Sequence, residues 1–292
     1  DEAYNHMDIR QAVKNYLEWK AVRSPKAAIT YKLHVTRFAE YKSKDTKELV
    51  NHDIVEFNQT LALKYNPPTI AYSCRVLKNF FNYLNALREA TISTFFIQAP
   101  KYMKKIRVGV SDEEFSAMCA TLNPYELGDL QKLSILHILH DTGMRVGELC
   151  DLNVDQISSS ECHTSIETKK NKQMRWVLWH KEFHQNVLLR WLGSRICLNK
   201  HPSLFVSIDK HGRERITPRT VQRWVKEIAK EAGIAKRIHP HMFRHAKAHK
   251  MKASGADLKD IQMMLGHVSP FSALMYLNFD KNEMLANAEK YL

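Results

Sequence analysis

The sequence predicts a mainly α-helical protein of two domains, in which one small β-hairpin makes the second domain α+β. Apolar residues recur at helical spacing in many segments, and helix-start signals precede several of these segments. Residues 163–179 differ, because two short strand-like runs flank a polar turn at 169–173. A chain of 292 residues is also longer than most single cores, so two domains are expected.

The first 98 residues are predicted to form a helical domain, because they show no strand-like alternation. Ser24-Pro25 has the pattern of an N-cap followed by proline in the first turn of a helix. Residues 66–68, Asn-Pro-Pro, are a second helix start, and an apolar stripe at helical spacing follows over residues 70–84. After Ser24, the residues that recur at roughly helical spacing and predict the inner face of this helix are Ile29, Leu33, Thr36 and Phe38.

Residues 99–111 are predicted to be a basic linker, since they contain a proline, a glycine, several basic residues and no helical stripe. Ser111 and Glu114 then have the spacing of a capping box, which predicts a helix at the start of the second domain, 112–292. Residues 130–150 are predicted to be helical. Further helices are expected to start at Thr217-Pro218 and after Asp257, the latter ending at Gly266.

The charge and cysteine content narrow the class of protein. A formal net charge of +13 favours an acidic partner, either a nucleic acid or an anionic membrane surface, although it could serve solubility alone. No block of five like charges and no run of 18 apolar residues occurs, so a folded basic face is expected and a membrane span is not. Five cysteines without a Cys-x-x-Cys pair, and a start without a secretory apolar region, predict reduced thiols and a cytoplasmic location.

Four short segments contain residue types that could carry chemistry, although each has an ordinary explanation by itself. Arg145 could form a salt bridge at a helix end, and His241 and Arg244 would share one face of any helix. His267 could be structural, and Tyr276 could be a core aromatic residue. In chain order the segments are Thr142–Leu149, with Arg145 and Glu148; the turn with Lys169 and Lys172; His239–His245; and Leu265-Gly266-His267, which Tyr276 follows nine residues later.

In this combination and order, the four segments resemble the tyrosine recombinase (phage-integrase-like) family, and the chain is similar to its two-domain, Xer-like members. The resemblance is specific from about residue 112 to about residue 280 and looser over the first 98 residues. It implies a C-shaped clamp of two domains on DNA, with a SAM-like, core-binding first domain. The catalytic residues that it implies by position, with Tyr276 as the nucleophile and Glu148 in support, are Arg145, Lys169, His241, Arg244, His267 and Tyr276.

The resemblance implies site-specific recombination, either integration and excision or dimer resolution, in a prokaryote, a phage or a mobile element. DNA would be cleaved and rejoined through a 3′-phosphotyrosyl intermediate. The residue types suit this chemistry, because two guanidinium groups can clamp the oxygens on which negative charge develops. His241 would handle the tyrosine proton, His267 would contact the phosphate, and Lys169 would protonate the leaving oxygen. No metal and no other cofactor is expected, since the arginines supply the positive charge.

Two lysines are open to more than one interpretation. Members of the family often carry Gly-Lys-Gly-Asn-Lys in the turn, where this chain has Thr168-Lys-Lys-Asn-Lys172. Aligning the Asn-Lys pair makes Lys169 the catalytic residue, and Lys172 is the alternative. Lys247 stands where the family often has an aromatic residue. It could contact a DNA phosphate, but a solvated helix face is the favoured interpretation.

The histidines at 241, 245 and 249 recur every four residues, a pattern that can also indicate a metal site. Such spacing could line one helix face with zinc ligands. Arg244 lies among them and would oppose a cation, so the sequence predicts no metal site.

Contacts with duplex DNA and with further copies of the chain are also expected. The end of the chain, about 282–292, carries apolar residues at helical spacing and resembles the exchange helix with which such recombinases dock into a neighbouring protomer. A homo-oligomer follows, with a dimer on each recombination site and a tetramer when two sites pair. The residues predicted to contact DNA are Lys101, Lys104, Lys105 and Arg107 in the linker, and Arg219 and Arg223 on a later helix.

Three other functions compete with recombination. A type IB topoisomerase would use the same tyrosine, arginine and histidine chemistry to relax supercoiled DNA. A non-catalytic DNA-binding protein could keep the fold without the reaction, although the complete residue set argues against it. A metal-dependent nuclease is disfavoured, because no Asp and Glu residues cluster at metal-ligand spacing.

Overall fold

The computed structural model describes residues 7–103, 108–168, 174–198, 201–208 and 214–266 of the chain. The chain divides into two compact units, Asp1–Lys105 and Ile106–Leu292, and the division falls inside the predicted linker, 99–111. The described residues are mainly α-helical with one two-stranded sheet, which confirms the predicted fold class. No helix among them is both long enough and apolar enough to cross a membrane.

The regular elements of the first unit, within its described residues, are all helices or helical turns. Its longest helix begins where Asn66 Oδ1 accepts a hydrogen bond from Thr69 N at 3.1 Å, as the Asn-Pro-Pro start predicts. The apolar stripe of this helix is buried, including Phe80 and Phe81, which confirms the predicted core face. The elements are α1 (Ile9–Arg23), α2 (Pro25–Tyr41), a 3-10 turn (Thr46–Glu48), α3 (Asn51–Lys64), α4 (Pro67–Ala86) and a second 3-10 turn (Thr94–Phe96).

The prediction for the buried face of α2 is wrong in part. Ile29 and Leu33 are 76% and 58% exposed, whereas Ala28, Val35 and Phe38 are buried. The first half of the helix is therefore turned by about one residue relative to the predicted stripe, whereas Phe38 meets the core as predicted. Its start at Pro25 is as predicted, but the Ser24 side chain makes no capping hydrogen bond.

The second unit surrounds one long helix with shorter helices and a hairpin. The helix α6 supplies Leu136, Ile138 and Leu139 to the core, each fully buried. Aromatic residues such as Trp191 and Phe243 complete this core from other helices. The helices are α5 (Asp112–Ala120), α6 (Leu127–Thr142), α7 (Val146–Asp151), α8 (Lys181–Phe183), continued by a π-helical turn (His184–Leu188), α9 (Leu189–Leu198), α10 (Pro218–Glu231), α11 (Pro240–Ala253) and α12 (Leu258–Leu265).

The predicted hairpin is confirmed. Strand β1 (His163–Glu167) pairs antiparallel with β2 (Met174–Leu178), and Ile166 lies opposite Arg175. Alternate residues of each strand are buried, as expected for a sheet with one face against the core. The turn between the strands, 169–173, lies outside the described residues.

Residues 130–150 are not one continuous helix, which corrects the sequence prediction. Gly143 ends α6 in the left-handed conformation, with φ of +59°, and α7 begins after Arg145. A side chain at Gly143 would also meet Lys247, since a Cβ atom there would lie 3.1 Å from the Cβ of Lys247. The break places Arg145 at a helix start instead of within a helix.

The remaining predicted helix boundaries are confirmed. Ser111 and Glu114 form the capping box of α5, and Thr217 caps α10. Asp257 caps α12 by accepting a hydrogen bond from Asp260 N at 2.7 Å, and Gly266 ends this helix with φ of +63°. Both ends of α12 are therefore set by the residues that the sequence indicates.

The corrected face of α2 can be tested by its effect on stability. Ile29→Ala should change the free energy of unfolding by less than about 0.5 kcal/mol, because the side chain is already in solvent. Phe38→Ala should cost about 3–5 kcal/mol, because its ring is buried between Phe57 and Phe81. Urea denaturation of the full chain, followed by circular dichroism, measures both. Equal losses would show that α2 buries the face predicted from the sequence.

Candidate active site

The candidate site residues divide into those that the structure describes and those that it does not. Lys169, His267 and Tyr276 lie outside the described residues, as do Lys104, Lys105, Arg107, the alternative lysine Lys172 and the predicted exchange helix, 282–292. The described candidates are Arg145, Glu148, His241, Arg244, Lys101, Arg219 and Arg223.

Arg145 and Glu148 form an ion pair at the start of α7. Arg145 Nη1 donates to Glu148 Oε1 at 2.7 Å, and the backbone N–H of Arg145 donates to Oε2 at 2.9 Å. Glu148 thus satisfies a backbone donor at the helix start and holds the arginine side chain at the same time. The Glu148 side chain is buried, whereas Arg145 keeps 35% of its side chain exposed.

Arg244 lies inside the unit on α11, with only 1% of its surface exposed. Its Nη1 donates to the carbonyl of Gly143 at 3.0 Å, and its Nη2 donates to the carbonyl of Leu265. The guanidinium therefore joins the break between α6 and α7 to the end of α12.

Arg145 reaches the same end of α12, which brings the two candidate arginines together. Its Nη2 donates to the carbonyl of Gly266 at 3.0 Å, directly after the carbonyl that Arg244 binds. Residues more than a hundred positions apart in the sequence are thereby assembled around the Leu265-Gly266 step. His267 follows this step directly in the sequence.

Arg175 is a member of this cluster that the sequence analysis missed. It lies on β2, is 7% exposed, and donates from Nη2 to Glu148 Oε2 at 2.7 Å. Its Nη1 donates to the carbonyl of Met264. One feature of the sequence could have indicated this role. Side chains alternate along a strand, so Arg175 shares a face with the apolar Val177, and this face is buried.

Charge governs the protonation of this cluster. Burial would raise the pKa of the Glu148 carboxyl, but the charges and N–H groups of Arg175 and Arg145 outweigh burial and hold the pKa below its ordinary value. Burial lowers the pKa of Arg175, and Glu148 opposes that shift. Glu148 therefore stays ionised and neutralises part of the positive charge.

His241 lies on α11 one turn before His245, and its position on the outer side of the helix is exposed. The two imidazole rings are 5.2 Å apart between centroids. Across the part of the chain that the structure describes, no three His, Cys, Asp or Glu side chains gather in a way that would hold a metal ion.

The interpretation of Lys247 as a residue of a solvated helix face is wrong. Its side chain is partly buried next to Gly143, and burial lowers its pKa. The residue lies one turn after Arg244 on α11, so this position adjoins the arginine cluster.

The described basic residues predicted to contact DNA are exposed. Lys101, Arg219 and Arg223 all lie in solvent, and the last of these has Glu227 at 4.0 Å on the next turn of α10. Arg215, four residues before Arg219, instead has a structural role, since it donates to the carbonyl of Cys150 at 2.7 Å.

Comparisons with known proteins agree with this architecture. Residues 110–283 match the model of the phage integrase family. A tyrosine recombinase of Thermosipho africanus is 28% identical, and the alignment covers 94% of this chain and 96% of that protein. The tyrosine recombinase XerC of Alcanivorax borkumensis is 31% identical over 73% of this chain and 69% of its own length.

Solved structures show the same fold. The XerH site-specific recombinase bound to a palindromic difH substrate has a TM-score of 0.74 and 20% identity, covering 97% of this chain and 84% of that chain. A lambda integrase dimer bound to a COC′ core site has a TM-score of 0.76 and 17% identity, covering 94% of this chain and 99% of that chain.

The fold is thus that of DNA recombinases, and the family match extends over more than half of the chain. The chain belongs to the phage integrase family. It is a tyrosine recombinase, an enzyme that cleaves and rejoins DNA at specific sites through a phosphotyrosyl intermediate, without a metal ion.

Glu148→Gln tests the electrostatics of the cluster. The substitution leaves Arg175 without a buried counter-charge, so it should lower the free energy of unfolding by about 3 kcal/mol at pH 7. Because the folded-state pKa of Glu148 is depressed, its contribution is complete above the unfolded pKa of about 4.3 and is lost as pH falls through the folded pKa.

The measurement is urea denaturation of both proteins between pH 7 and pH 3. The difference in free energy should shrink as the pH falls below about 4.3. A difference that stays constant over this range would contradict an ionised Glu148.

Proposed function

We propose that Tyr276 is the nucleophile of this recombinase and that Arg145 and Arg244 clamp the phosphate that it attacks. The observation that supports this most is the pair of arginine contacts with consecutive carbonyls, those of Leu265 and Gly266. The chain continues directly from there to His267 and reaches Tyr276 nine residues later. Both guanidinium groups therefore lie at the two residues that directly precede His267 in the sequence.

The cleavage step transfers the phosphoryl group from the 5′-oxygen of the DNA to the phenol oxygen of Tyr276. The phenol of Tyr276 gives its proton to His241, and its oxygen attacks phosphorus. The bond from phosphorus to the 5′-oxygen breaks, and that oxygen takes a proton from Lys169. A phenol with a pKa near about 10 is mostly protonated at neutral pH, which is why the step needs a proton acceptor. The products are a 3′-phosphotyrosyl bond and a free 5′-hydroxyl.

Rejoining reverses these changes with a different strand. A 5′-hydroxyl from the partner duplex attacks phosphorus and loses its proton to Lys169, while the tyrosine oxygen leaves and regains a proton from His241. The number of phosphodiester bonds is unchanged, so no nucleotide cofactor is needed. This exchange distinguishes a recombinase from a nuclease, which would give the bond to water.

Electrostatic stabilisation is the role proposed for the arginine pair. Negative charge grows on the two non-bridging oxygens in the transition state, and preorganised donors stabilise it by about 3–4 kcal/mol for each well-aimed donor. Arg145 is the more accessible of the two, with 35% of its side chain exposed. Glu148 accepts one hydrogen bond from the Arg145 guanidinium and one from its backbone N–H, so less ordering of the arginine side chain is needed during the reaction.

The DNA partner is proposed to be a duplex with a specific recombination site. The linker residues Lys101, Lys104, Lys105 and Arg107 would contact phosphates, which position the duplex without reading its sequence. Arg219 and Arg223 are exposed on consecutive turns of α10 and would reach the backbone or a groove.

A homo-oligomer is proposed, with a dimer on each site and a tetramer when two sites pair. A lambda integrase tetramer bound to a Holliday junction, with a TM-score of 0.74 and 16% identity, and a lambda integrase dimer on a core site share this fold. The segment 282–292 of this chain, with apolar residues at helical spacing, would dock into a neighbouring protomer.

The nucleophile can be identified by trapping the covalent intermediate. Wild-type protein is incubated in EDTA with nicked suicide duplexes that carry candidate recombination sites, beside Tyr276→Phe. A protein–DNA adduct at Tyr276 is expected with the wild type and not with the variant, since phenylalanine lacks the attacking oxygen. Denaturing gels and peptide mass spectrometry detect it. An adduct that still forms with Tyr276→Phe would show that another residue is the nucleophile.

Two further assays with the same proteins distinguish recombination from relaxation of DNA. Two duplexes with the reactive site should exchange strands, and a supercoiled plasmid without that site should remain supercoiled. Relaxation of the plasmid without exchange between sites would instead favour a type IB topoisomerase activity.

Deletion of residues 282–292 tests the proposed exchange helix. Paired-site complexes in native gels and recombinant product should both fall at least about tenfold, since the segment would supply an apolar anchor between protomers. Single-site cleavage should persist. If the segment packs on its own domain instead, its deletion would lower the free energy of unfolding and leave synapsis intact, which would contradict the proposal.

A further inference from the structure

We propose that Arg175 is a positioning residue of the active site, which fixes the hairpin that carries Lys169 against Glu148 and the end of α12. This inference rests on the proposed function, because Lys169 matters only if it protonates the leaving oxygen. Arg175 would not touch the DNA itself. It would act through the residues that it aligns.

The first support is the sharing of Glu148 by two arginines. One carboxylate oxygen accepts from Arg145 Nη1 at 2.7 Å, and the other accepts from Arg175 Nη2 at 2.7 Å. The carboxylate is buried, so neither bond is exchanged easily for water. Strand β2 is thereby linked to the arginine proposed to clamp the phosphate.

The second support is that three arginines each donate a hydrogen bond to a different carbonyl at the end of α12. The last carbonyls of a helix have no partner within the helix and carry its partial negative charge. Here the consecutive carbonyls of residues 264, 265 and 266 accept from Arg175, Arg244 and Arg145, in that order. The position from which the chain continues to His267 is therefore set by all three guanidinium groups together.

The third support is a close contact that requires glycine. Gly266 has φ of +63°, and a Cβ atom there would lie 2.9 Å from Arg175 Cδ and 3.0 Å from Thr168 Cγ2. The base of the hairpin thus lies directly on the end of α12. Thr168 immediately precedes Lys169 in the sequence, so the contact is one residue away from the proposed proton donor.

A hairpin needs such an anchor if it is to aim a side chain. A two-stranded sheet alone is only marginally stable, and among the described residues this sheet has two strands. Arg175 faces Ile166 across the hairpin and binds two other parts of the site from there. These contacts would hold the base of the hairpin in a fixed position relative to Arg145 and Arg244.

The alternative is that Arg175 only stabilises the fold, and Arg195 provides the matched control for it. Arg195 is also buried and also donates to backbone carbonyls, from Nε to Ser203 at 2.9 Å and from Nη2 to His201. These contacts lie between α9 and the following loop and involve no candidate site residue. Replacement of either arginine by lysine keeps the charge but removes the two-pronged geometry.

The experiment compares Arg175→Lys and Arg195→Lys with the wild type in the full chain. Thermal melting and DNA affinity are measured first. The rate of covalent adduct formation is then measured on the suicide duplex that reacts best with the wild type. A second duplex carries sulfur in place of the 5′-oxygen at the scissile bond. Its thiolate leaves without a proton, because thiols ionise near about pH 8.5.

Arg175→Lys should form the adduct about 10–100-fold more slowly than the wild type on the oxygen substrate, as expected for a displaced proton donor. Its DNA affinity should stay within about twofold of the wild-type value, because Arg175 is not proposed to contact DNA. On the sulfur substrate its rate should return to within about threefold of the wild type. Arg195→Lys should lower the melting temperature and leave both rates near the wild-type values.

Two results would overturn the inference while the proposed function stands. The first is a wild-type rate in Arg175→Lys, and the second is an equal loss on both substrates, which would mean that Arg175 does not act through the proton donor. A wild type that forms no adduct on any duplex would overturn the proposed function, and this inference with it.

Discussion

The catalytic unit depends on the convergence of arginine side chains on the end of α12. Arg145, Arg175 and Arg244 come from a helix start, a strand and a buried helix face, and their guanidinium groups bind three consecutive carbonyls. Those carbonyls accept no hydrogen bond within the helix, so each arginine supplies a donor that the backbone lacks. The same hydrogen bond fixes the position of the arginine side chain. Gly266 makes the arrangement possible, because it turns the chain with positive φ and leaves room for the hairpin base. Separate elements are thereby tied to one point.

This arrangement places more positive than negative charge in a partly enclosed region. Among the described residues of the cluster, Glu148 is the carboxylate that faces the guanidinium groups, and it is shared by Arg145 and Arg175. Burial of uncompensated charge costs free energy, as the lowered pKa of Arg175 reflects. The helix end offsets part of that cost through its partial negative charge. A DNA phosphate would supply the remaining negative charge, so the unit is suited to bind and stabilise the group on which a recombinase acts.

The sequence predicted those residues of the site that lie in short, recognisable motifs. Arg145, Glu148, His241 and Arg244 are recognisable because short motifs contain them, and the capping signals and the hairpin follow from spacing alone. Arg175 has no such motif, and its role arises from contacts with residues far away in the sequence. The face of α2 was misplaced for a similar reason, since Ile29 is as apolar as a core residue but is left in solvent by the packing of its neighbours. Lys247 was assigned to solvent because charge alone does not reveal a glycine beside it.

The cluster consists of a largely buried framework, which is distinct from the groups that are proposed to react. The framework consists of Arg145, Glu148, Arg175 and Arg244, whose hydrogen bonds link buried backbone and side-chain atoms. The proposed proton donor follows the hairpin base directly, at Lys169, and His267 and Tyr276 follow the end of α12. Two chain segments thus leave the framework at neighbouring points, since Thr168 and Gly266 are in contact distance of each other. Proton donation and nucleophilic attack act on opposite sides of one phosphorus atom. If the arginine cluster holds the phosphate as proposed, a common base for both segments would allow the proton donor and the nucleophile to act on that one phosphate.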